Sequence, residues 1–420
     1  MGPTLWILLS LAVAGVLLLM LWSARRHESP VLNLQCELPI DRLMPSLAGL
    51  SLSHCVQGNA VELLENGAFY DTLIGAISGA RQSVHFETFL WKDGVLGRRL
   101  AHALAGRARA GVKVRLTLDD TGCRRMGKDV RRELEQAGCA IVRFHKRTLK
   151  NLGVLNDRDH RKLAVIDGRE AFVGGHCIVD EWLGEAQDSE HYADLSVRLR
   201  GPIVHSVQAA FSENWSGGSG EMFVGDAYYP PLAPAGDLTM FAAYAKPEGS
   251  APAVKLLHHA AICLAKQRLW IQNPYFIPEP EAIEAFGEAV ARGVDVRVLM
   301  PSAGGSDNPL VQHAGHRNFE SLLRRGVRLF EYPHTLLHQK VMTIDRAFCV
   351  IGSSNFDDRS FDTNDEISLG ILAPSLAGQL DAVFEKYAAH AREIELARWH
   401  ARSLWHKLVD NTVYVANELM

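Results

Sequence analysis

Cysteine is scarce and unpatterned in this chain. Seven residues, at positions 36, 55, 123, 139, 177, 263 and 349, form no C-x-x-C pair and show no metal-ligand spacing. An odd, scattered set reads as reduced or buried thiols and fits a cytosolic location better than a disulfide framework. Net charge is small too, −4 over 420 residues, and no run of lysine and arginine occurs. Nucleic-acid binding needs a basic groove, so no nucleic-acid partner is expected. Core material is not lacking, with 47% apolar and 22% charged residues. That is the composition of an ordinary globular protein. The length suggests two or three domain-sized units, or one large two-lobed body.

One long stretch has no charge at all. Residues 5–22, LWILLSLAVAGVLLLMLW, hold no ionisable side chain, and the stretch is about the minimum that crosses a bilayer as a helix. Trp6 and Trp22 stand at its ends, where amphipathic rings favour the membrane interface. A cleaved signal peptide needs a basic first segment, and MGP offers none. The expectation is a retained transmembrane anchor over residues 1–24, single-pass, in the cell inner membrane. Arg25 and Arg26 follow it, so the positive-inside rule puts the remaining body in the cytoplasm. Residues 25–56, with the turn-rich HESP and MPSLAGLS, read as a tether.

Beyond the tether, short apolar strands alternate with segments of helical spacing. This β-α-β rhythm predicts an α/β fold with a mostly parallel sheet covered on both faces. The rhythm then repeats. ARQSVHFETF, from position 80, is answered by AKQRLWIQNP from 265; ARAGVKVRL, from 108, by VARGVDVRV from 290. QAGCAIVRF, from 136, is answered by RRGVRLFEY from 324, and DLSVRLRGP, from 194, by EISLGILAP from 366. A preserved order of correspondences marks a duplicated unit. The halves are expected at 57–225 and 238–395, joined by a proline-rich linker at 226–237. Residues 396–420 read as a C-terminal amphipathic helical segment. Leu396, Trp399, Leu404, Trp405 and Leu408 can form an apolar stripe beside Arg398, Arg402 and Lys407, suited to a membrane interface or to capping the second half.

Equivalent places in the two halves carry one polar pattern, H-x-K-x4-D. It falls on His160, Lys162 and Asp167, and again on His338, Lys340 and Asp345. Chance supplies such a match on the order of a few hundredths of a time per chain. On extended backbone alternate residues share a face, so His and Lys project together. The aspartates of this catalytic set fall on the opposite face or in the following turn, and read as positioning residues. If the halves pack about a pseudo-twofold axis, two imidazoles and two ammonium groups meet in one cleft. A protonated lysine cannot ligate a metal, so neither a metal nor another cofactor is expected there. Two fixed cations suit a phosphoryl group that gathers charge during displacement. One histidine then attacks phosphorus and the other protonates the leaving oxygen. Asp194 and Glu366, aligned in the repeat, are the expected carboxylate partners that hold the imidazole tautomers.

The segments HRKLAVIDG, HQKVMTID, GSSNFDDRS and NDE resemble the motifs of the phospholipase D superfamily. NGAFYDTLIGAI, FETFLW, GPIVHSVQAAFSENW, NPYFIP and DDRSFDTNDE make the chain most similar to bacterial cardiolipin synthases within it. The likeness covers roughly residues 57–400 of the sequence. It implies a duplicated phospholipase D-like α/β/α sandwich with two pseudo-twofold related halves. It also implies a phosphatidyltransferase acting through a phosphohistidine, with His160 as nucleophile and His338 as general acid and then base. Lys162 and Lys340 would hold phosphoryl oxygens, Ser353 and Asn355 would contact phosphate, and Glu366 would orient a histidine. The first half departs from the pattern, with Gly175 and Cys177 where the second has Ser353 and Asn355. Cysteine is a poor donor, so one phosphate contact is expected to be lost or replaced there. The implied partners are phospholipid substrates and the bilayer, the donor being phosphatidylglycerol or a related lipid. With water as acceptor the same chemistry makes a phospholipase D. A nuclease would use the same His-Lys set but needs a basic groove.

Overall fold

The structure is a computed structural model, and it describes residues 2–24, 32, 34, 36–144, 157–246, 251–402 and 410. The chain forms two compact units, Met1–Asn33 and Leu34–Met420. In the first unit α1 (Pro3–Ala24) is helical over 22 residues and has no charged residue. The side chains of residues 16–24, Trp22 among them, lie outside the described residues, as do Arg25 and Arg26. Among the described residues no helix is long and apolar enough to cross a membrane.

The second unit opens with α2 (Met44–Leu50) and then runs through one series of elements twice. The first series is β1 (Val56–Glu65), α3 (Ala68–Gly79), β2 (Ser83–Thr88), α4 (Val95–Arg109), β3 (Lys113–Asp119), α5 (Lys128–Gln136) and β4 (Ala140–Phe144). It continues with β5 (Leu163–Ile166), β6 (Glu170–Gly174), β7 (Leu195–Arg200) and α6 (Val204–Ser219). The second is β8 (Leu238–Ala243), α7 (Ala253–Leu264), β9 (Arg268–Gln272), α8 (Pro280–Ala291), β10 (Asp295–Pro301), α9 (Pro309–Arg324) and β11 (Arg328–Tyr332). It closes with β12 (Val341–Ile344), β13 (Phe348–Gly352), β14 (Ser368–Leu372) and α10 (Pro374–Ala388). The strands order as β4-β3-β2-β5-β6-β7-β1-β8-β14-β13-β12-β9-β10-β11-β15, the two-residue β15 (Arg392–Glu393) pairing antiparallel with β11 at one edge. Apart from β15 that order reads alike from either end, with its centre at the antiparallel pair β1–β8.

The sheet is mixed, which corrects the expectation of a mostly parallel one. Only β2–β3–β4 and β9–β10–β11 pair in parallel. The strand after each motif turns straight back as a hairpin, and a tight hairpin can only be antiparallel. At the β5–β6 turn Asp167 and Gly168 have φ of +52° and +64°; at β12–β13 Asp345 and Arg346 have +50° and +57°. Three residues separate the paired Ile166 and Glu170, and Ile344 and Phe348, and the two successive positive φ values are those of a type I′ turn closed by the Arg169 and Ala347 N–H groups on the Ile166 and Ile344 carbonyls. Each motif aspartate therefore sits in the turn.

Helices α3–α5 cover one face of the first half through Leu73, Leu100 and Leu134, packed with Val84 and Leu116. Helices α7–α9 do the same for the second half through Leu257, Phe286 and Phe319. Between these layers a central core draws on both halves, including Val207 and Phe211 of α6 and Leu380 and Phe384 of α10. Each fully buried Leu or Phe contributes about 1.5–3 kcal/mol, so the shared layer binds the halves into one body. One segment boundary needs correction. Ile40, Leu43, Met44 and Leu47, assigned to the tether, are buried in the core of the second half. Among the described residues the C-terminal helix α11 spans Leu396–His400, and its Trp399 is buried against Phe319. Leu404, Trp405, Lys407 and Leu408 lie outside the described residues.

Candidate active site

Both motif histidines stand on extended backbone just before β5 and β12, and that backbone is pinned by the opposite half. Asp159 bridges Asp365, and Leu337 bridges Ala193. The His160 N–H donates to the Asp365 carbonyl at 2.9 Å, and the His338 N–H donates to that of Ala193 at 2.7 Å. The residue after each bridge partner is an acid, so each imidazole meets a carboxylate from the other half. His160 Nδ1 lies 2.7 Å from Glu366 Oε1, and His338 Nδ1 lies 2.7 Å from Asp194 Oδ2. Sequence alignment supplied the two acids; the crossed pairing comes from the fold.

The two dyads are supported differently. Glu366 takes a hydrogen bond from the Ser353 hydroxyl. Asp194 takes its support from Trp182 Nε1–H at 2.8 Å and from the Leu195 N–H at 2.8 Å. The Trp182 ring also meets His338 edge-on at 5.0 Å. A Cβ on Gly175 would sit 2.2 Å from Asp194 Oδ1, so the first half has no room for the serine of the second. The hydroxyl hydrogen of Ser353, a residue expected to contact phosphate, goes to Glu366 in this structure. Asn355 is buried, and its Oδ1 has no partner among the described residues. Cys177 is buried too, with its Sγ 3.8 Å from the Gly175 carbonyl.

Lys162 and Lys340 each curl back on their own motif, donating to the carbonyls of His160 at 2.5 Å and His338 at 2.8 Å. Phe89 lies under the Lys162 ammonium at 5.3 Å and edge-on to His160 at 4.9 Å. Burial lowers the titration of His160 to about 3, against the pull of Glu366. His338 is also lowered, by burial and then by the Lys340 charge. Burial would raise both carboxyls, but His338 and His176 hold Asp194 at about 2, and His160 holds Glu366 at about 2. At neutral pH each dyad is a neutral imidazole on an ionised carboxylate. Nδ1–H donates to the acid, and Nε2 keeps its lone pair. Burial brings Lys340 down to about 7 and lowers Lys162. An anion between these ammonium groups would favour their charged forms.

Asp167 and Asp345 do not join the dyads. Asp167 accepts from the backbone N–H groups of Arg81, Gln82 and Ser83, and Asp345 from those of Lys266, Gln267 and Arg268. They anchor the motif hairpins to the starts of β2 and β9. Three supporting residues escaped sequence reading: Trp182, Phe89 and Arg161. Arg161 is almost wholly buried, and it donates to the Ala210 carbonyl, to Glu213 and, across the halves, to the Glu366 carbonyl. Its only sequence signal is its place between the motif His and Lys.

Comparison with known proteins agrees with this geometry. The family model "Cardiolipin synthase, PLD-like domain" matches residues 73–215 and 259–388, one segment in each half. Cardiolipin synthase A of Pseudomonas putida is 35% identical over 360 residues, which is 84% of this chain and 73% of that protein. Cardiolipin synthase 2 of Bacillus anthracis is 31% identical over 387 residues, covering 90% and 74% respectively. Among solved structures, phosphatidylserine synthase of Haemophilus influenzae superposes with a TM-score of 0.66 at 12% identity, over 86% of this chain and 93% of that one. That likeness concerns the fold. The duplicated motifs, the crossed dyads and the matched length together show that the chain belongs to the cardiolipin synthase family of phospholipase D-like enzymes.

Proposed function

We propose that the protein transfers a phosphatidyl group from phosphatidylglycerol, or a related phospholipid, to the hydroxyl of a second lipid or polyol. The observation that carries this reading is the pair of crossed imidazole–carboxylate dyads beside two buried lysines. His160 Nε2 attacks phosphorus, an N–P bond forms, and the P–O bond to the leaving glycerol breaks. His338, which takes a proton from solvent at Nε2 as the substrate phosphate binds, gives that proton to the leaving oxygen. An incoming hydroxyl then loses its proton to His338 and attacks phosphorus, and His160 leaves. Lys162 and Lys340 hold the equatorial oxygens, whose charge grows in each transition state, and Asn355 adds a contact. Glu366 and Asp194 stabilise whichever imidazole is charged. The reading includes the uncharged residues 5–22 as an inner-membrane anchor, a stretch whose side chains lie only partly within the described residues. It is supported by the absence of charge and by the exposed Leu5, Trp6, Leu8, Leu9 and Leu11.

The test is to incubate purified, detergent-solubilised protein with labelled phosphatidylglycerol, without added metal, and separate the lipids. Cardiolipin with released glycerol is the expected result. Phosphatidic acid alone would make the enzyme a hydrolase. In the same assay His160→Ala and His338→Ala should each lose at least about 10³-fold in turnover, with unchanged circular dichroism. Substantial activity in either variant would defeat the two-histidine mechanism.

A further inference from the structure

A second cluster of ligating side chains lies on α9 and plays no part in the dyads. His313 and His316 are three residues apart, so they face one side of the helix. Asp410, from the C-terminal segment, comes to both. Its Oδ1 is 2.9 Å from His313 Nδ1 and 3.7 Å from His316 Nδ1. The three ligating atoms all fall within 4.8 Å of one another. In a tetrahedral zinc site with bonds of about 2.0 Å, ligand atoms stand about 3.3 Å apart. Shifts of a few tenths of an ångström would bring the two Asp410 separations to that value, and the two imidazoles, now within 4.8 Å, would close on the ion by rotation of the partly exposed His313.

The surroundings are those of a metal-binding histidine. His316 is only 8% exposed, and its Nδ1 is buried without a hydrogen-bond partner among the described residues. Its other nitrogen, Nε2, faces Glu331 Oε1 at 3.2 Å. A carboxylate on one ring nitrogen fixes the tautomer and turns the lone pair of the other toward a metal. Glu331 is held in turn by Arg392, and the second oxygen of Asp410 by Arg402 Nη1 at 2.8 Å. Asp410 Oδ1 is thus left to the histidines. The C-terminal segment already packs here, with Trp399 edge-on to His316 at 5.2 Å and Arg402 over the Trp399 ring.

We propose that His313, His316 and Asp410 bind a divalent transition cation of the zinc class, which staples the C-terminal segment to α9. Imidazole nitrogens with one carboxylate suit such a cation better than magnesium or calcium, which favour all-oxygen sets. The staple joins positions 97 residues apart. The H-x-x-H spacing shows in the sequence, but its third ligand is recognisable only once the chain is folded.

The probe is Zn²⁺ alone, added to the full-length solubilised chain, followed by dialysis, metal analysis and thermal unfolding. The expected result is one retained zinc and a raised midpoint, since a ligand that binds only the folded state stabilises it. Both effects should be lost in His313→Ala, a partly exposed position, and in Asp410→Asn. Glu331→Gln should weaken zinc binding by about 10–100-fold. Failure of the wild type to retain zinc would overturn the staple. Equal retention in His313→Ala and Asp410→Asn would overturn it as well, by placing the metal elsewhere. Transfer activity should survive in both variants, which separates this site from the dyads.

Discussion

At the scale of the residue, the cleft is governed by burial acting on charge. Lys340 is held near 7 by desolvation first and by repulsion from the Lys162 ammonium, against the pull of Asp194. Only its protonated form can hold a phosphoryl oxygen. Rising pH should therefore remove the working form of the free enzyme, and kcat/KM should fall above about pH 7. Lys340→Arg keeps the charge and should move that alkaline limb upward; a wild-type profile flat from about pH 6 to 9 would sink the assignment. Gly175 is the second case. The Cβ of a serine there would collide with the carboxylate that holds His338. Gly175→Ser, which makes the two halves more alike in sequence, should cost at least about tenfold in turnover because Asp194 must shift. Single-turnover kinetics would detect the loss, and full activity would show that Asp194 tolerates displacement.

At the scale of the element, the motif hairpins owe their placing to their aspartates. Asp345 accepts from three consecutive backbone amides at the start of β9 while its own backbone makes the turn at positive φ. Asp345→Ala leaves those amides to find water or go unpaired. It should cost about 1–3 kcal/mol in stability. Urea unfolding should show a lowered midpoint, while the KM of the remaining folded enzyme stays unchanged. A normal midpoint with a collapsed kcat would instead make Asp345 a participant in the chemistry. The existence of these hairpins was open to sequence reading, since H-x-K and the small-residue turns are local patterns. The mixed sheet was not. The apolar runs do not say which neighbour a strand takes, and the hairpin turn decided it.

At the scale of the whole molecule, the duplication does not make two enzymes. Each histidine takes its carboxylate from the other half, and α6 and α10 share one core. Residues 34–225 expressed alone should therefore show no turnover and should bind a hydrophobic dye through the uncovered face of α6. Co-expression with residues 226–420 should restore activity. Turnover by one half alone would contradict the crossed pairing.

The sequence by itself determined the repeat, the H-x-K pairs, the two acids and the family, because all of these are read within a few tens of residues. Tertiary structure alone decided which acid serves which histidine, with partners 206 and 144 residues apart. It also decided that Ser353 and Trp182 support carboxylates, and that Ile40, Leu43, Met44 and Leu47 belong to the core. Those outcomes depend on which segments lie side by side, and strand pairing across the two halves sets that.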